Sequence, residues 1–480
     1  MLKKIGITLG FALLSSIIWA QKTTIFTEAN RAFKQGIELF DKGVYGAAQQ
    51  SFQEALELLQ PVNESESDLL KTQAKLYVGR CAVRRGLPDS EKIMLDFIRE
   101  VAPDPASNQA LIELANYYFG IKDYNKAVQF YGQIPPNGLT QEELSEVKFK
   151  MGYAYFAQKQ FGLAKKNFKA IAGIQDERYY YPTHYYLGLV NFYDGKYNDA
   201  INNFKIVERD RSKKYKSVLP YYITQIYFSE GRYDDLLDYA VPKLNEGVVK
   251  KRKEMNQLIG QTYFEREQYT NALPYLERYA ESSSKMREEE FYQLGIVYLE
   301  NGQPQKAIKY FEELTSTDSE LGQNALYNLG RLYLQVGGKK ARNSARNSFG
   351  KAAQMQYDPI IQDEALFNYA KLSYELKYDR DAINALRSIN TESRYYSEAQ
   401  SLMSQIFLDT RDYERAIAAL RSLDYLTPDL REALQKVTYY RAVQLLNDKN
   451  LEGAEEYFKT SLKDAVDPET RALAVFWLGD

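Results

Sequence analysis

YYLGLVNFYDGKYNDAINNF, residues 185–204, sets a small glycine among apolar residues, then a Gly-Lys-Tyr step, then an alanine and a phenylalanine four apart. The order is not confined to this stretch. MGYAYFAQKQFGLAKKNF (151–168), LGLVNFYDGKYNDAINNF (187–204), IGQTYFEREQYTNALPYL (259–276) and LGIVYLENGQPQKAIKYF (294–311) align without gaps. Each carries a small residue second, Tyr or Asn three later, an alanine twelve later and an aromatic or leucine sixteen later. Taken as a marker, the small residue recurs at Gly36, Gly79, Ala115, Gly152, Gly188, Thr224, Gly260, Gly295, Gly330, Ala370, Ser404, Ala442 and Gly479, at spacings of 34 to 43 residues. A period of that length identifies a repeat array.

Within each unit the apolar residues on either side of the marker fall three and four apart, which buries one face of a helix. Gly195, Gly231 and Gly302 sit where that helix must end and the chain reverse, a position suited to positive φ. Ala200, Ala307 and Ala416 then mark a close crossing with a second helix. Phe204, Phe311 and Leu420, four residues on, fill the adjoining space. The unit read from the sequence is an antiparallel helix pair.

Composition agrees with an array. A chain of 480 residues exceeds one compact core, and 62 basic against 64 acidic residues, net charge −2, make no global field for nucleic acid or an anionic membrane. Hydrophobic residues make up 45%, and 41 tyrosines with 14 prolines describe an ordered, aromatic-rich chain.

The pattern resembles the tetratricopeptide repeat family over about residues 28–480. The resemblance implies an all-α, right-handed superhelical solenoid of antiparallel helix pairs, with about twelve repeats and a truncated thirteenth. Departures from the family are the loss of the tryptophan at the first position, the tandem ARNSARNS at 341–348, expected to add residues between the two helices of its unit, and Pro274, expected to kink a second helix or start it late. PVNESESD (61–68) and PPNGLTQEE (135–143) read as longer loops between repeats, and none of the gaps reads as a flexible domain linker.

The residues that carry catalysis are sparse. His184 is the single histidine and Cys81 the single cysteine, so the usual His/Cys metal clusters and nucleophile–base pairs cannot be assembled. Both read as packing residues: Cys81 in a buried helix beside Val78 and Ala82, His184 four residues before Gly188 at a helix-packing or groove-lining position. Carboxylate runs such as Glu288 to Glu290 suit a helix start. There is no phosphate loop or dinucleotide fingerprint, and Gly337-Gly338 reads as a turn. The basic stretches at Lys213-Lys214 and Lys250 to Lys253 read as solvated faces, and the tyrosine cluster YYYPTHYY (179–186) as core and groove wall. No cofactor or metal is expected.

Two function classes remain: a non-enzymatic scaffold binding a peptide segment or partner protein in a concave groove, and a carboxylate-based hydrolase of envelope glycans using groove Asp and Glu. The missing nucleophile–base pairs favour the scaffold. If the helices lie as in the family, the residues three before, one after and four after each marker face the groove. That selects Ile112, Asn116, Phe149, Tyr153, Phe156, Tyr185, Phe192, Gln261, Tyr292, Tyr327 and Arg331. The family's lysine and asparagine clamp for carboxylate tails is replaced by Ile112, Lys150 and Tyr186.

At the amino terminus, Lys3 and Lys4, the apolar run Ile5 to Ile18 and Ala20 before Gln21 read as a secretory signal over residues 1–20, leaving 21–480 as the array. No cysteine follows the apolar run to carry an acyl anchor. The expected location is therefore periplasmic, with no membrane span after cleavage. The resemblance is then to periplasmic, envelope-associated family members, which serve outer-membrane biogenesis, secretion or surface-machinery assembly. The partners expected are proteins or peptide segments, not nucleic acid. VFWLGD at the end matches the opening of a new unit, so the array is expected to continue beyond residue 480.

Overall fold

The computed structural model describes residues 24–62, 65–175, 178–210, 213–246, 249–423, 425–463 and 465–479. The expected signal segment, 1–20, lies outside them. Among the described residues the fold is all-α, and it divides into two compact units, Met1–Gly231 with Glu246–Lys250 and Arg232–Asn245 with Lys251–Asp480.

The first unit holds five consecutive helix pairs, from 24–41 with Tyr45–Leu59 to Tyr180–Tyr193 with Tyr197–Glu208, and then the helix Leu219–Ser229. The second begins with Tyr233–Asn245 and continues through six pairs, from Arg252–Glu265 with Tyr269–Glu281 to Pro428–Asn447 with Leu451–Lys463, before the helix Pro468–Gly479. Each pair corresponds to one sequence period. The period around Thr224 contributes its first helix to one unit and its second to the other.

The physical basis of the marker is the ring it faces. A Cβ built on Gly36, Gly152, Gly188, Gly295 or Gly330 would lie 2.5–2.6 Å from the ring of Phe52, Phe168, Phe204, Phe311 or Phe349, and one on Gly260 would lie 2.6 Å from Leu276. Those side chains are almost wholly buried. The first helix is therefore glycine where the second helix inserts its largest apolar residue.

The reversal between helices is equally regular. Seven residues after the marker the backbone turns left-handed, at Gly43, Gly86, Gly195, Gly231, Gly302 and Gly337 and also at Lys122, Lys159, Glu267, Lys377 and Lys449. The next N–H then reaches back five residues, as from Lys196 to the Asn191 carbonyl (2.8 Å) and from Gln160 to the Tyr155 carbonyl (2.9 Å). This bond satisfies a carbonyl that the helix end leaves open.

Three local expectations are corrected. ARNSARNS does not lie between helices: it lies within Gly338–Gln354, which is separated from the end of the first helix at Val336 by Gly337 alone. Its Ala345 and Ser348 are buried on the same helix as the Phe349 that follows, so the helix absorbs the extra length. Pro274 does not delay its helix, which begins at Tyr269 and runs to Glu281 with the proline inside. The stretches at 61–68 and 135–143 are only partly loop, since helices begin at Ser65 and Gln141, the latter on a capping box between Thr140 and Glu143.

Among the described residues no helix is long and apolar enough to cross a membrane. In the helix Pro468–Gly479, Thr470 and Ala474 are buried while Val475 and Phe476 are exposed.

Candidate functional site

Successive first helices carry half-buried aromatics on neighbouring turns, and in the first unit these merge into one face. Its centre is Tyr186. The rings of Phe149 (5.9 Å), Tyr153 (5.2 Å), Phe156 (5.2 Å), Phe168 (5.9 Å) and Tyr185 (5.2 Å) all lie around it. Tyr153 extends the face to Phe119 and Tyr124, and Tyr185 stacks on Tyr215 at 4.4 Å. Phe156 and Phe161 reach Tyr193, which is exposed, and Phe192 meets Tyr193, Tyr197 and Tyr222. Edge and offset contacts at these separations each add about 0.5–1.5 kcal/mol beyond burial. The face is therefore preorganised.

Burial, followed by the neighbouring phenols, pushes the Tyr185 and Tyr186 hydroxyls well above the ordinary tyrosine value. They stay protonated at neutral pH and can donate hydrogen bonds from an apolar wall.

The polar end of this face is internally paired. Asn116 donates to Glu146 (3.0 Å) and accepts from Lys150 (2.7 Å) and Tyr131, and Lys150 also pairs with Glu146 (2.5 Å). Burial works against the Glu146 charge, but the bonds from Lys150 and Asn116 and the charge of Arg178 hold its carboxyl below the ordinary value. Lys150 is thus occupied rather than free to clamp a carboxylate tail.

Of the residues read from the sequence, Phe149, Tyr153, Phe156, Tyr185 and Phe192 come together on this face. Ile112 packs instead against the core around Leu111 and Leu114, and Asn116 belongs to the polar network. Gln261, Tyr292, Tyr327 and Arg331 lie in the second unit. There Gln261 is half-buried and Tyr292 packs on Phe311. The Tyr327 ring meets Phe349, its hydroxyl bonds Glu364, and the Arg331 guanidinium lies over it at 5.9 Å. Sequence reasoning passed over Tyr186 as a binding residue, along with Tyr193, Tyr215 and Tyr222. Their signal was position: Tyr186, two before its marker, points between the helices of adjacent repeats.

The buried carboxylates are committed to structure. Glu113 pairs with Arg80 (3.2 Å) and Arg84, and Glu290 accepts from Gln257 (2.8 Å), Tyr279 (2.8 Å) and Arg287 (3.0 Å). His184 is buried, with Nδ1 2.8 Å from the Asn203 side-chain oxygen and Nε2 3.1 Å from the Ala172 carbonyl. Among the described residues no group of three or more His, Cys, Asp or Glu is placed to hold a metal ion.

The Tetratricopeptide repeat profile matches residues 292–341, which span the helix pair Glu288–Glu300 and Pro304–Glu312, the helix Glu320–Val336 and the turn after it. The same marker, left-handed turn and buried phenylalanine recur on both sides of that window. That window is a tetratricopeptide repeat segment. Repeats of this family generally mediate protein–protein interaction. No curated protein sequence matches this chain. Solved structures similar to it include a tetratricopeptide repeat protein from Parabacteroides merdae ATCC 43184, at 16% identity over 56% of this chain and 99% of that one with a TM-score of 0.32. Others are MamA AMB-1, at 18% identity over 38% and 91% with a TM-score of 0.27, and Pseudomonas aeruginosa PilF, at 10% identity over 63% and 97% with a TM-score of 0.25.

Proposed function

We propose that this protein is a non-enzymatic interaction scaffold of the cell envelope, exported by its amino-terminal segment to the periplasm, where it holds a peptide segment or partner protein against the aromatic face of its first unit. The observation that carries the reading is the face around Tyr186. The rings of Phe149, Tyr153, Phe156, Tyr185 and Tyr186 come from successive first helices, and Tyr193 stands out into solvent. Rigid aromatics of this kind supply contact area at low entropic cost, and their hydroxyls orient a bound backbone. The envelope role rests on the amino-terminal segment and the family resemblance, and covers outer-membrane biogenesis, secretion and surface-machinery assembly.

The test is a Tyr153→Ala/Tyr185→Ala double variant used as bait in an envelope extract, with captured proteins read by mass spectrometry and helicity by circular dichroism. The variant should keep its helicity and lose the partner that the unaltered chain retains. Unchanged capture would remove the aromatic face as the binding surface. The mature mass should begin at Gln21 in the periplasmic fraction; retention of Met1 to Ala20 with alkali-resistant membrane association would replace export by anchoring.

A further inference from the structure

The second unit carries a cleft that the aromatic face does not use. It lies between two successive second helices, Asp379–Arg387 and Tyr413–Arg421, and is floored by the first helix Tyr396–Asp409. Its volume is about 390 Å³, within the range of sites that take a small ligand or a side chain. Ile383, Ile406, Phe407, Ala416 and Ala419 give it an apolar interior.

The rim is charged, and its charges are unevenly committed. Asp412 caps its own helix through the Arg415 N–H (3.2 Å) and pairs with the Arg415 side chain (3.2 Å). Asp379 sits in the first turn of its helix, where the positive end of the helix dipole meets its charge. Arg380 and Arg387, both exposed cleft residues, make no hydrogen bond or ion pair among the described residues. They stand seven residues apart on one helix, about 10 Å along its axis, with Ile383 between them facing the same cleft.

The neighbouring cleft one repeat earlier shows the alternative. There Arg346 bonds the Ser373 hydroxyl (2.8 Å), the Tyr369 hydroxyl (3.1 Å) and Asp381, and its guanidinium lies 4.2 Å over the Tyr378 ring. That arginine is spent inside the protein. Arg380 and Arg387 are not.

We infer that the cleft between the helices Asp379–Arg387 and Tyr413–Arg421 docks an acidic peptide segment of a partner protein, seating one apolar side chain on Ile383, Ile406 and Phe407 while carboxylates on either side pair with Arg380 and Arg387. Charge complementarity names the occupant, because guanidinium groups with no internal acceptor match carboxylates. The apolar floor selects a peptide over nucleic acid, whose phosphates would leave it empty, and the recess excludes a flat lipid surface. The site is independent of the aromatic face.

A library of random short peptides displayed on phage and panned on the full chain tests this, with enriched peptides remeasured by fluorescence anisotropy. Enriched peptides should carry Asp or Glu on both sides of an aliphatic or aromatic residue. Arg380→Ala/Arg387→Ala should weaken them by about tenfold or more, and Ala419→Trp, which fills the cleft, should do the same with helicity retained. Tyr153→Ala/Tyr185→Ala should leave them unchanged, which separates this site from the aromatic face. Failure of any acidic peptide to enrich, equal binding by the double-arginine variant, or equally tight binding of single-stranded oligo(dT) to the same arginines would each overturn the proposal.

Discussion

Lys159 and Gly195 occupy the same position in successive repeats and share a left-handed backbone, φ 60° and 70°, though only glycine takes it without a steric penalty. A side chain there costs about 1–2 kcal/mol, offset in part by the greater freedom glycine loses on folding. Lys159→Gly should therefore raise stability by about 1 kcal/mol and Gly195→Ala should lower it by a similar amount, measured by urea unfolding. Effects of the same sign would show that the turn does not set the energetics. Glycine announces this turn in the sequence at 195, 231 and 302, while Lys122, Lys159 and Lys377 hide it, because the closing backbone bond tolerates the strained residue. Cys81 was legible as a packing residue. It is wholly buried, and burial pushes its thiol from 9.0 up to about 11 against the lowering charges of Arg80 and Arg85. The folded state therefore favours the neutral thiol. That contribution is fully present below pH 9 and is lost as pH rises toward 11. Cys81→Ala should flatten the fall in stability across that window in a pH series of melting temperatures; an unchanged slope would assign the fall to other groups, such as the tyrosines.

Between elements, the joints that the period does not describe are made by buried amides. Gln323, wholly buried in the helix Glu320–Val336, donates to the carbonyls of Met355 (3.0 Å), Ala352 (3.3 Å) and Asp358 (3.3 Å) and accepts from the Asp358 N–H (2.7 Å). Gln435 does the same three repeats later, donating to the Asp467 carbonyl (3.0 Å) and accepting from the N–H groups of Val466 (2.6 Å) and Asp467 (2.7 Å). Each lies seven residues before its marker and fixes the loop that leads into the next repeat. Gln323→Leu fits the space but strands the Asp358 N–H and the loop carbonyls, so it should cost about 1–3 kcal/mol, whereas Gln362→Leu, whose amide makes one bond to the Ala353 carbonyl (3.1 Å), should cost less. Equal losses in chemical denaturation would mean that the amide network is not what holds the joint. Apolar spacing made the helices and their pairing readable. Nothing in that spacing distinguishes a buried glutamine from an exposed one, because the partner is a loop some thirty residues downstream. The same blindness hid Tyr186 as a hub and the cleft beside Arg380, since both depend on how one repeat lies on the next.

At the scale of the molecule, an array of helix pairs joined mainly to their neighbours distributes its stability by proximity. Damage to one pair weakens that pair and the interfaces it shares, then fades along the stack. Gly188→Ala places a Cβ 2.5 Å from the Phe204 ring, within a fully buried contact, and should cost about 1–3 kcal/mol through overpacking. Native-state hydrogen exchange resolves where that cost falls. Amides in Tyr180–Tyr193 and Tyr197–Glu208 should lose the most protection, those in the adjoining pair Gln141–Ala157 and Phe161–Ile171 less, and those in the helix at 24–41, four repeats away in the same unit, should keep theirs. The aromatic face makes the prediction sharper. Tyr186 ties the first helix of the damaged pair to Phe149, Tyr153 and Phe156 in the preceding repeat, so loss of protection should spread preferentially toward that side. Uniform loss from 24–41 through Leu219–Ser229 would instead make the first unit a single cooperative block, with the aromatic face as one of the contacts that fuses it.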